Sequence, residues 1–291
     1  MPQKITLTLR PESAFEMPIS EGYQLYSALL AVMKKADPDM ARHTHDSPIG
    51  SISLGPLDGR FSRSERARHK AVSPAEKYNL QVGITDPKEV EIFRSIISPL
   101  VLREQNLRLE KGGLRVEELA SSTAGFEQLL TPAGERADGG PCLDLQFKSP
   151  ACIQYKNTKV FEMFPHREAV FSSLLSKWNA VCPENMRMSM DRDDMARFMI
   201  ERPLDYETHS VVVNTVLDRT KGHPRPIMKQ GFTGRCRYTF AKNAPQGLAN
   251  GIVALARFAE YSGVGSSVSR GCGAVAVKIG GAAGGSGETV R

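Results

Sequence analysis

A chain of 291 residues, 41% of them apolar, is long enough to bury the cores of two ordinary domains. Its 38 Lys and Arg exceed its 32 Asp and Glu, and the formal charge of +6 favours a polyanionic partner without naming one. The sequence has no apolar run long enough for a transmembrane helix, and its N-terminus lacks a signal-peptide pattern. We therefore expect a cytoplasmic protein that does not interact with membranes.

The first half predicts the order strand, helix, two strands, helix and strand, which is the ferredoxin-like arrangement. The first helix places four apolar side chains on one face: Tyr26, Leu29, Leu30 and Met33. The charged stretch 62–76 has no apolar period and predicts a loop. The six elements are expected at 4–11, 22–37, 51–61, 77–86, 87–102 and 106–120.

The second half repeats this order after a stretch rich in Gly and Pro at 122–141. Its elements are expected at 142–154, 166–181, 209–219, 228–241, 245–263 and 273–279, with an extra amphipathic segment at 191–201. We therefore predict an α+β protein with two tandem ferredoxin-like (RRM-like) domains, in which antiparallel sheets carry helices on one face. The predicted boundaries are 1–124, 125–280 and a flexible tail at 281–291.

A glycine-rich loop, AEYSGVGSSVSRGCGAVAVK, connects the last predicted helix to the last strand. It contains Gly263, Gly265, Gly271 and Gly273, with Ser266, Ser267 and Arg270 between them. A dinucleotide-binding loop has the opposite order, strand before helix, and a Walker loop needs GKS or GKT. Two interpretations stay open: a cradle for a phosphate backbone, or a helix end at Gly263 followed by a tight turn.

The run AEYSGVGSSVSRGCGAVAV resembles the C-terminal signature of the CRISPR-associated repeat-processing endoribonucleases of the Cas-six type, in the RAMP superfamily. Looser matches follow in LQFKSPACIQ, MFPHREAVFSSLLSKWNAV, GFTGRCRYTF and YQLYSALLAVMKKADPDMARHTHD. The resemblance implies the fold predicted above. It also implies a metal-independent endoribonuclease that cuts CRISPR precursor transcripts once per repeat to release guide RNAs, leaving 2′,3′-cyclic phosphate and 5′-hydroxyl ends.

Cleavage of this kind uses the 2′-hydroxyl of RNA as nucleophile, so the protein must supply proton transfer and donors for charge on phosphorus. By the resemblance, His45 falls at the position of the family's catalytic histidine. Tyr23 and Tyr26 are candidates for a phenol in the cleft, with Tyr23 preferred because Tyr26 belongs to the apolar stripe. Some family members carry a lysine shortly after the histidine, but this chain has none through Ser53, so the charge-stabilising group stays open.

Three basic segments are candidates for holding RNA. The predicted loop 220–230 carries Lys221, His223, Arg225 and Lys229, and the resemblance places it at the base of a repeat stem. Arg235 and Arg237 follow on a predicted strand. The run RFSRSERARHKA at 60–71 is either a solvated loop or a track for the transcript, and the sequence does not decide between them.

Other functions stay open at this point. The same fold and loop would suit a non-catalytic guide-RNA-binding subunit of a CRISPR effector complex, and the absence of the lysine motivates that alternative. An unrelated two-domain metabolic protein is a third possibility. The HTHD segment departs from the HxHxDH pattern of metallohydrolases, and the five cysteines form no CxxC pair, so we expect no metal site and no cofactor. The expected partners are repeat RNA, mature guide RNA and other effector subunits.

Overall fold

The computed structural model describes residues 1–48, 50–132, 140–155, 158–218 and 222–281. Within these residues the chain forms two ferredoxin-like units in tandem, which confirms the predicted fold class. No helix in the described part of the chain has the length and apolar character needed to cross a bilayer.

The first unit is a βαββαβ fold with additional short strands. Its elements are β1 (Gln3–Pro11), β2 (Phe15–Pro18), α1 (Gly22–Ala36), α2 (Pro38–Asp46), β3 (Ile52–Leu54), β4 (Asp58–Gly59), β5 (Ser62–Arg63), β6 (His69–Val72), β7 (Tyr78–Ile84), α3 (Glu89–Ile97), β8 (Leu107–Arg108) and β9 (Gly113–Thr123). The antiparallel sheet has the order β3-β7-β1-β9-β8. Alternation in β1 buries Ile5, Leu7 and Leu9 completely, as expected for a sheet with one covered face.

The second unit repeats the arrangement with longer strands. Its elements are α4 (Phe126–Leu129), β10 (Pro141–Ala151), α5 (Arg167–Val181), α6 (Arg192–Phe198), β11 (Met199–Asp218), β12 (His223–Phe240), α7 (Gln246–Ser262) and β13 (Val275–Gly281). The sheet order is β11-β12-β10-β13. Trp178 of α5 lies at the centre of the core, with its ring edge-on to Phe126 and Phe258.

The charged stretch predicted as a loop contains two strands. β5 and β6 pair with each other, and β6 pairs with β2, to form a separate three-stranded sheet. The prediction was wrong because strands of two to four residues, paired along an edge, need no apolar alternation of their own.

The predicted loop 220–230 is also different in the structure. β11 and β12 form one hairpin of 20 and 18 residues, so His223, Arg225 and Lys229 lie on β12. Lys221 lies outside the described residues, as do residues 282–291 of the predicted tail. β12 pairs with β10 only from Phe232 onward, and before that point the hairpin extends beyond the sheet.

The two units are joined by contacts between α7 and the first sheet. Ser53 Oγ donates a hydrogen bond to the Tyr261 carbonyl (2.7 Å), and Gln81 Nε2 donates to the Glu260 carbonyl (3.1 Å). A Cβ on Gly83 in β7 would overlap the Tyr261 carbonyl oxygen, so glycine is required for the two backbones to approach. This contact fixes the end of α7, and with it the start of the glycine-rich loop, against the first unit.

Candidate functional site

A cleft of about 1100 Å³ opens between the two units. One wall contains Tyr26 of α1 and His45 at the end of α2, and the opposite wall is formed by α5. Residues 265–270 of the glycine-rich loop close one side. The leading catalytic candidate and part of the predicted phosphate-binding loop therefore line one cavity, although 220 residues separate them in sequence.

His45 is an exposed side chain on the last turn of α2. That helix begins at Pro38, after Asp37 has accepted a hydrogen bond from the amide of Met40 (2.9 Å) as its N-cap. Three residues of α2 face the core and hold the helix in place: Met40, Ala41 and Thr44. His45, at the edge of this buried face, is exposed and lines the cleft.

Tyr26, and not Tyr23, contacts the histidine. Tyr26 Oη lies 3.3 Å from His45 Nδ1, and the two rings lie nearly parallel, at an interplanar angle of 18°. The preference for Tyr23 was wrong, because a tyrosine on the apolar stripe can also reach the cleft. The ring of Tyr26 is buried with that stripe, whereas its hydroxyl reaches the cleft.

Tyr26 also contacts the glycine-rich loop. The Arg270 guanidinium lies 5.9 Å from the centroid of the Tyr26 ring. Burial raises the pKa of Tyr26, and Arg270 and Ser269 counteract part of that rise. A single phenol thus connects the imidazole to the loop.

His43 has a different environment from His45. Its Nε2 lies 3.0 Å from a carboxylate oxygen of Asp86, which also accepts hydrogen bonds from Ser51 Oγ and from the amide of Lys88. Burial alone would raise the pKa of Asp86, but the bonds from Ser51, Lys88 and His43 outweigh it and hold that pKa below its ordinary value. The two histidines therefore do not converge on one metal position, and no cluster of three potential ligands occurs among the described residues.

The glycines of the loop are required mainly by the protein's own backbone. Gly271 has φ +83°, and a Cβ on it would lie 2.6 Å from the Cα of Gly22 at the start of α1. Gly273 has φ +69°, and a Cβ there would overlap the Val264 carbonyl. Gly263, at φ +62°, ends α7. These three do not line the cleft, so the predicted cradle is narrower than the run Gly263–Gly273.

The segment that does line the cleft is Gly265–Arg270. Lys229 of β12 donates a hydrogen bond to Ser266 Oγ (2.9 Å), and Ser173 of α5 accepts one from the amide of Gly265 (3.0 Å). Arg270 is held by a bond from its guanidinium to the Val213 carbonyl (3.2 Å). Hydroxyl, ammonium and guanidinium groups are thereby fixed together at one side of the cavity.

Lys177 is a cleft residue that the sequence analysis missed. Its Nζ donates to the carbonyls of Ser262 and Gly263, at 3.1 Å each, and so supports the end of α7. Burial lowers the pKa of Lys177 to about 7. The signal in the sequence was a lysine at the edge of the α5 apolar stripe, three residues after Leu174 and next to Trp178.

The rest of the α5 wall was also missed. It presents small and polar side chains at helical spacing, namely Ala169, Ser172, Ser173 and Ser176, and the side chains of His166 and Glu168 lie at its N-terminal end. His166 faces two carboxylates, Glu201 at 3.8 Å and Glu168 at 4.0 Å. The sequence analysis considered only the apolar stripe of this helix, so its polar face was not predicted to line a site.

Arg235 and Arg237 are not brought to the cleft. Arg235 Nε lies 2.6 Å from Asp205, and Arg237 makes bonds of 2.7 and 2.9 Å to the two oxygens of Asp144. These carboxylates already neutralise both guanidinium groups. His223 and Arg225 are exposed on the hairpin and likewise do not line the cavity.

Comparison with protein families gives one match in the second unit. Residues 145–275 match the family described as CRISPR-associated endoribonuclease Cas6. This range includes the glycine-rich loop and confirms the resemblance seen in the sequence. A comparison with curated proteins finds no match.

Solved Cas6 structures match nearly the whole chain. A Thermus thermophilus Cas6 in a product complex aligns with a TM-score of 0.68 and 17% identity, covering 96% of this chain and all of that one. A second Cas6, also in a product complex, gives a TM-score of 0.62 and 22% identity over 96% of this chain and all of its own. A Cas6-related protein from Pyrococcus furiosus gives 0.63 and 14%, over 96% of this chain and 99% of its own. Because all three identities are low, this structural similarity establishes the fold alone.

Proposed function

We propose that this chain binds CRISPR repeat RNA and cleaves it. The premise is that a chain with the fold of Cas6 structures, and with a second unit that matches the Cas6 family, is a Cas6-type protein. The observation that carries the proposal is the cleft in which His45, Tyr26 and Arg270 meet. Two of the similar structures are described as product complexes and one as a substrate-mimic complex, which supports RNA as the ligand.

The proposed chemistry is intramolecular attack by the ribose 2′-hydroxyl. Contact of His45 Nδ1 with Tyr26 leaves Nε2 available to exchange a proton with the 2′-oxygen or with the leaving 5′-oxygen. Attack on phosphorus breaks the bond to the 5′-oxygen, which takes up a proton. The products are a 2′,3′-cyclic phosphate and a 5′-hydroxyl, and the scheme requires no metal ion.

Charge on the phosphorane needs a donor, and the sequence offered no lysine after His45. We assign this role to Arg270, because its guanidinium lies against the ring of Tyr26 and is held by the Val213 carbonyl. Lys229 and the hydroxyls of Ser266 and Ser267 would hold neighbouring phosphates.

Labelled repeat RNA incubated with the protein in EDTA tests the proposal. We expect one cut per repeat, with a fragment that becomes a substrate for 3′-end dephosphorylation only after its cyclic phosphate has been opened by acid. His45→Ala should abolish the cut and leave the affinity within a few fold of wild type. Tight binding without cleavage by the wild-type protein would instead identify a guide-RNA-binding subunit.

A further inference from the structure

The three-stranded sheet of β2, β6 and β5 carries a group of exposed arginines. Residues 58–72, which we name the basic arm, contain Arg60, Arg63, Arg66, Arg68 and Lys70. All four arginine side chains are exposed, and among the described residues none has an ion-pair partner. The arm also carries two exposed carboxylates, Asp58 and Glu65, but its net charge is positive and would attract an anionic ligand.

The basic arm is an ordered element rather than a solvated loop. Arg63 pairs with Lys70 across the β5–β6 ladder, and Ser64 Oγ accepts a hydrogen bond from the amide of Arg66 (3.0 Å) in the turn. The Arg60 carbonyl accepts a bond from the Tyr78 hydroxyl (2.9 Å). The backbone that carries the arginines is therefore ordered, so a ligand would have to order only their side chains on binding.

The apolar part of the arm is covered. Lys70 Nζ lies 3.9 Å from the centroid of the Phe61 ring and 3.0 Å from a carboxylate oxygen of the buried Glu21. Its charge is thus already used within the fold, whereas the arginine charges are not. Because its cations are exposed and its aromatic ring is covered by Lys70, this surface suits the phosphates of a nucleic acid better than an apolar protein partner.

Residues 19–22 connect the arm to the glycine-rich loop. The Arg68 carbonyl accepts a hydrogen bond from the amide of Ile19 (3.0 Å), and Arg68 itself has φ +57°, a strained conformation for this residue type. Three residues later Gly22 packs against the backbone of Arg270 and Gly271. The segment 19–22 therefore contacts the arm at one end and the glycine-rich loop at the other.

We propose that the basic arm is a second phosphate-binding surface, which holds the single-stranded RNA that leaves the cleft past the glycine-rich loop. This inference depends on the proposed function, because it assumes that RNA occupies the cleft. It adds a contact outside the repeat, so the affinity for a transcript should depend on the length of the flanking RNA.

Binding of three RNAs over a range of salt concentrations tests this proposal. One RNA is the repeat alone, and the other two carry about ten flanking nucleotides at the 5′ end or at the 3′ end. The test variant is Arg63→Gln with Arg66→Gln. The matched control is Lys34→Gln with Lys35→Gln, which removes two exposed charges at the far end of α1.

The arm variant should bind the extended RNA several-fold more weakly, with a log–log salt slope lower by about 1.4. It should bind the repeat alone like wild type and cleave it at the same rate under saturation. An unchanged slope, or an equal loss in the lysine control, would overturn the inference while leaving the proposed function intact. Absence of salt-dependent RNA binding by the wild type would overturn both. Polyglutamate serves as a probe for an acidic protein partner. If the arm variant loses polyglutamate binding while the salt slope of its RNA binding is unchanged, the arm binds an acidic protein instead of RNA.

Discussion

His45 Nδ1 and Tyr26 Oη, 3.3 Å apart, connect the end of α2 to the middle of α1. The contact fixes one nitrogen of the imidazole and leaves the other for the substrate. Because α1 also packs against the glycine-rich loop through Gly22, one helix positions the proton-transfer group and the proposed phosphate contacts together.

Tyr26→Phe should slow cleavage of repeat RNA by roughly tenfold to a hundredfold at saturating enzyme, because the imidazole loses the group that orients it. The affinity should change little. Single-turnover rates over a pH range provide the measurement, and Tyr23→Phe, one turn earlier on the same helix, is the matched control. Equal slowing in both variants would contradict a specific role for Tyr26.

Asp86→Asn should lower the free energy of unfolding at pH 7 by about 1–3 kcal/mol, because a buried carboxylate that serves His43, Ser51 and Lys88 is lost. The pKa of Asp86 is lower in the folded protein than in the unfolded chain. Its contribution is therefore complete above the unfolded pKa of about 3.9 and is lost as the pH falls through the folded value.

Urea denaturation at pH 7 and at pH 3 measures this effect, and the gap between wild type and Asp86→Asn should narrow at the lower pH. Asp39→Asn is the control, since that side chain is 92% exposed. A gap of the same size at both pH values would show that the charge of Asp86 does not stabilise the fold.

Lys177→Met should change the pH dependence of stability between pH 7 and pH 10. The folded pKa of about 7 lies below the unfolded value of about 10.4, so the unfolded chain binds more protons in this window. For this group, stability rises with pH by up to about 1.4 kcal/mol per unit. Methionine removes that rise, and guanidinium denaturation at several pH values would detect the difference.

Lys34→Met serves as the control for this measurement, because that lysine is exposed on α1. The two variants should diverge increasingly from pH 7 to pH 10, and parallel curves would mean that Lys177 keeps an ordinary pKa.

Gly271→Ala should destabilise the protein by about 1–3 kcal/mol, since the position has φ +83° and its Cβ would meet Gly22. Displacement of the loop should also weaken RNA binding. Gly247→Ala in the first turn of α7 is the matched control, because a Cβ there meets nothing within 4 Å. Equal melting temperatures for the two variants in thermal unfolding would contradict the role assigned to the close contact between Gly271 and Gly22.

Arg225→Ala tests the hairpin that the family resemblance places at the stem of a repeat. The side chain is exposed on β12, and if it contacts a phosphate the log–log salt slope of RNA binding should fall by about 0.7 to 0.9. Lys35→Ala is the control for charge alone. A slope identical to that of wild type would remove this residue from the interface.

The fold was predictable where local periodicity and burial coincide. β1 alternates because one face of its sheet is covered, and α1 shows its buried stripe at a spacing of three and four residues. The prediction placed a loop at 220–230, whereas Pro224 and Pro226 lie within β12. They are accommodated because β12 pairs only with β11 in this part, so prolines do not interrupt a central ladder.

The candidate site was only partly predictable, for a related reason. The assignments of His45 and of the loop as site residues depended on the family resemblance. Tyr26 was ranked below Tyr23 because its place on the apolar stripe of the first helix predicts a buried side chain, and the pattern does not show that its hydroxyl reaches the cleft. Lys177 and the polar face of α5 become site residues only when the second unit turns that face towards the first. Tertiary placement of this kind leaves no local periodic signal.

The notch at Gly83, which admits the Tyr261 carbonyl, limits how such proteins can be recombined. A chimaera that takes its first half from a distant relative would need a side-chain-free position at the same point of the strand. With any bulkier residue there, α7 would be pushed away and the glycine-rich loop would shift relative to His45, even in a donor half that is intact by itself.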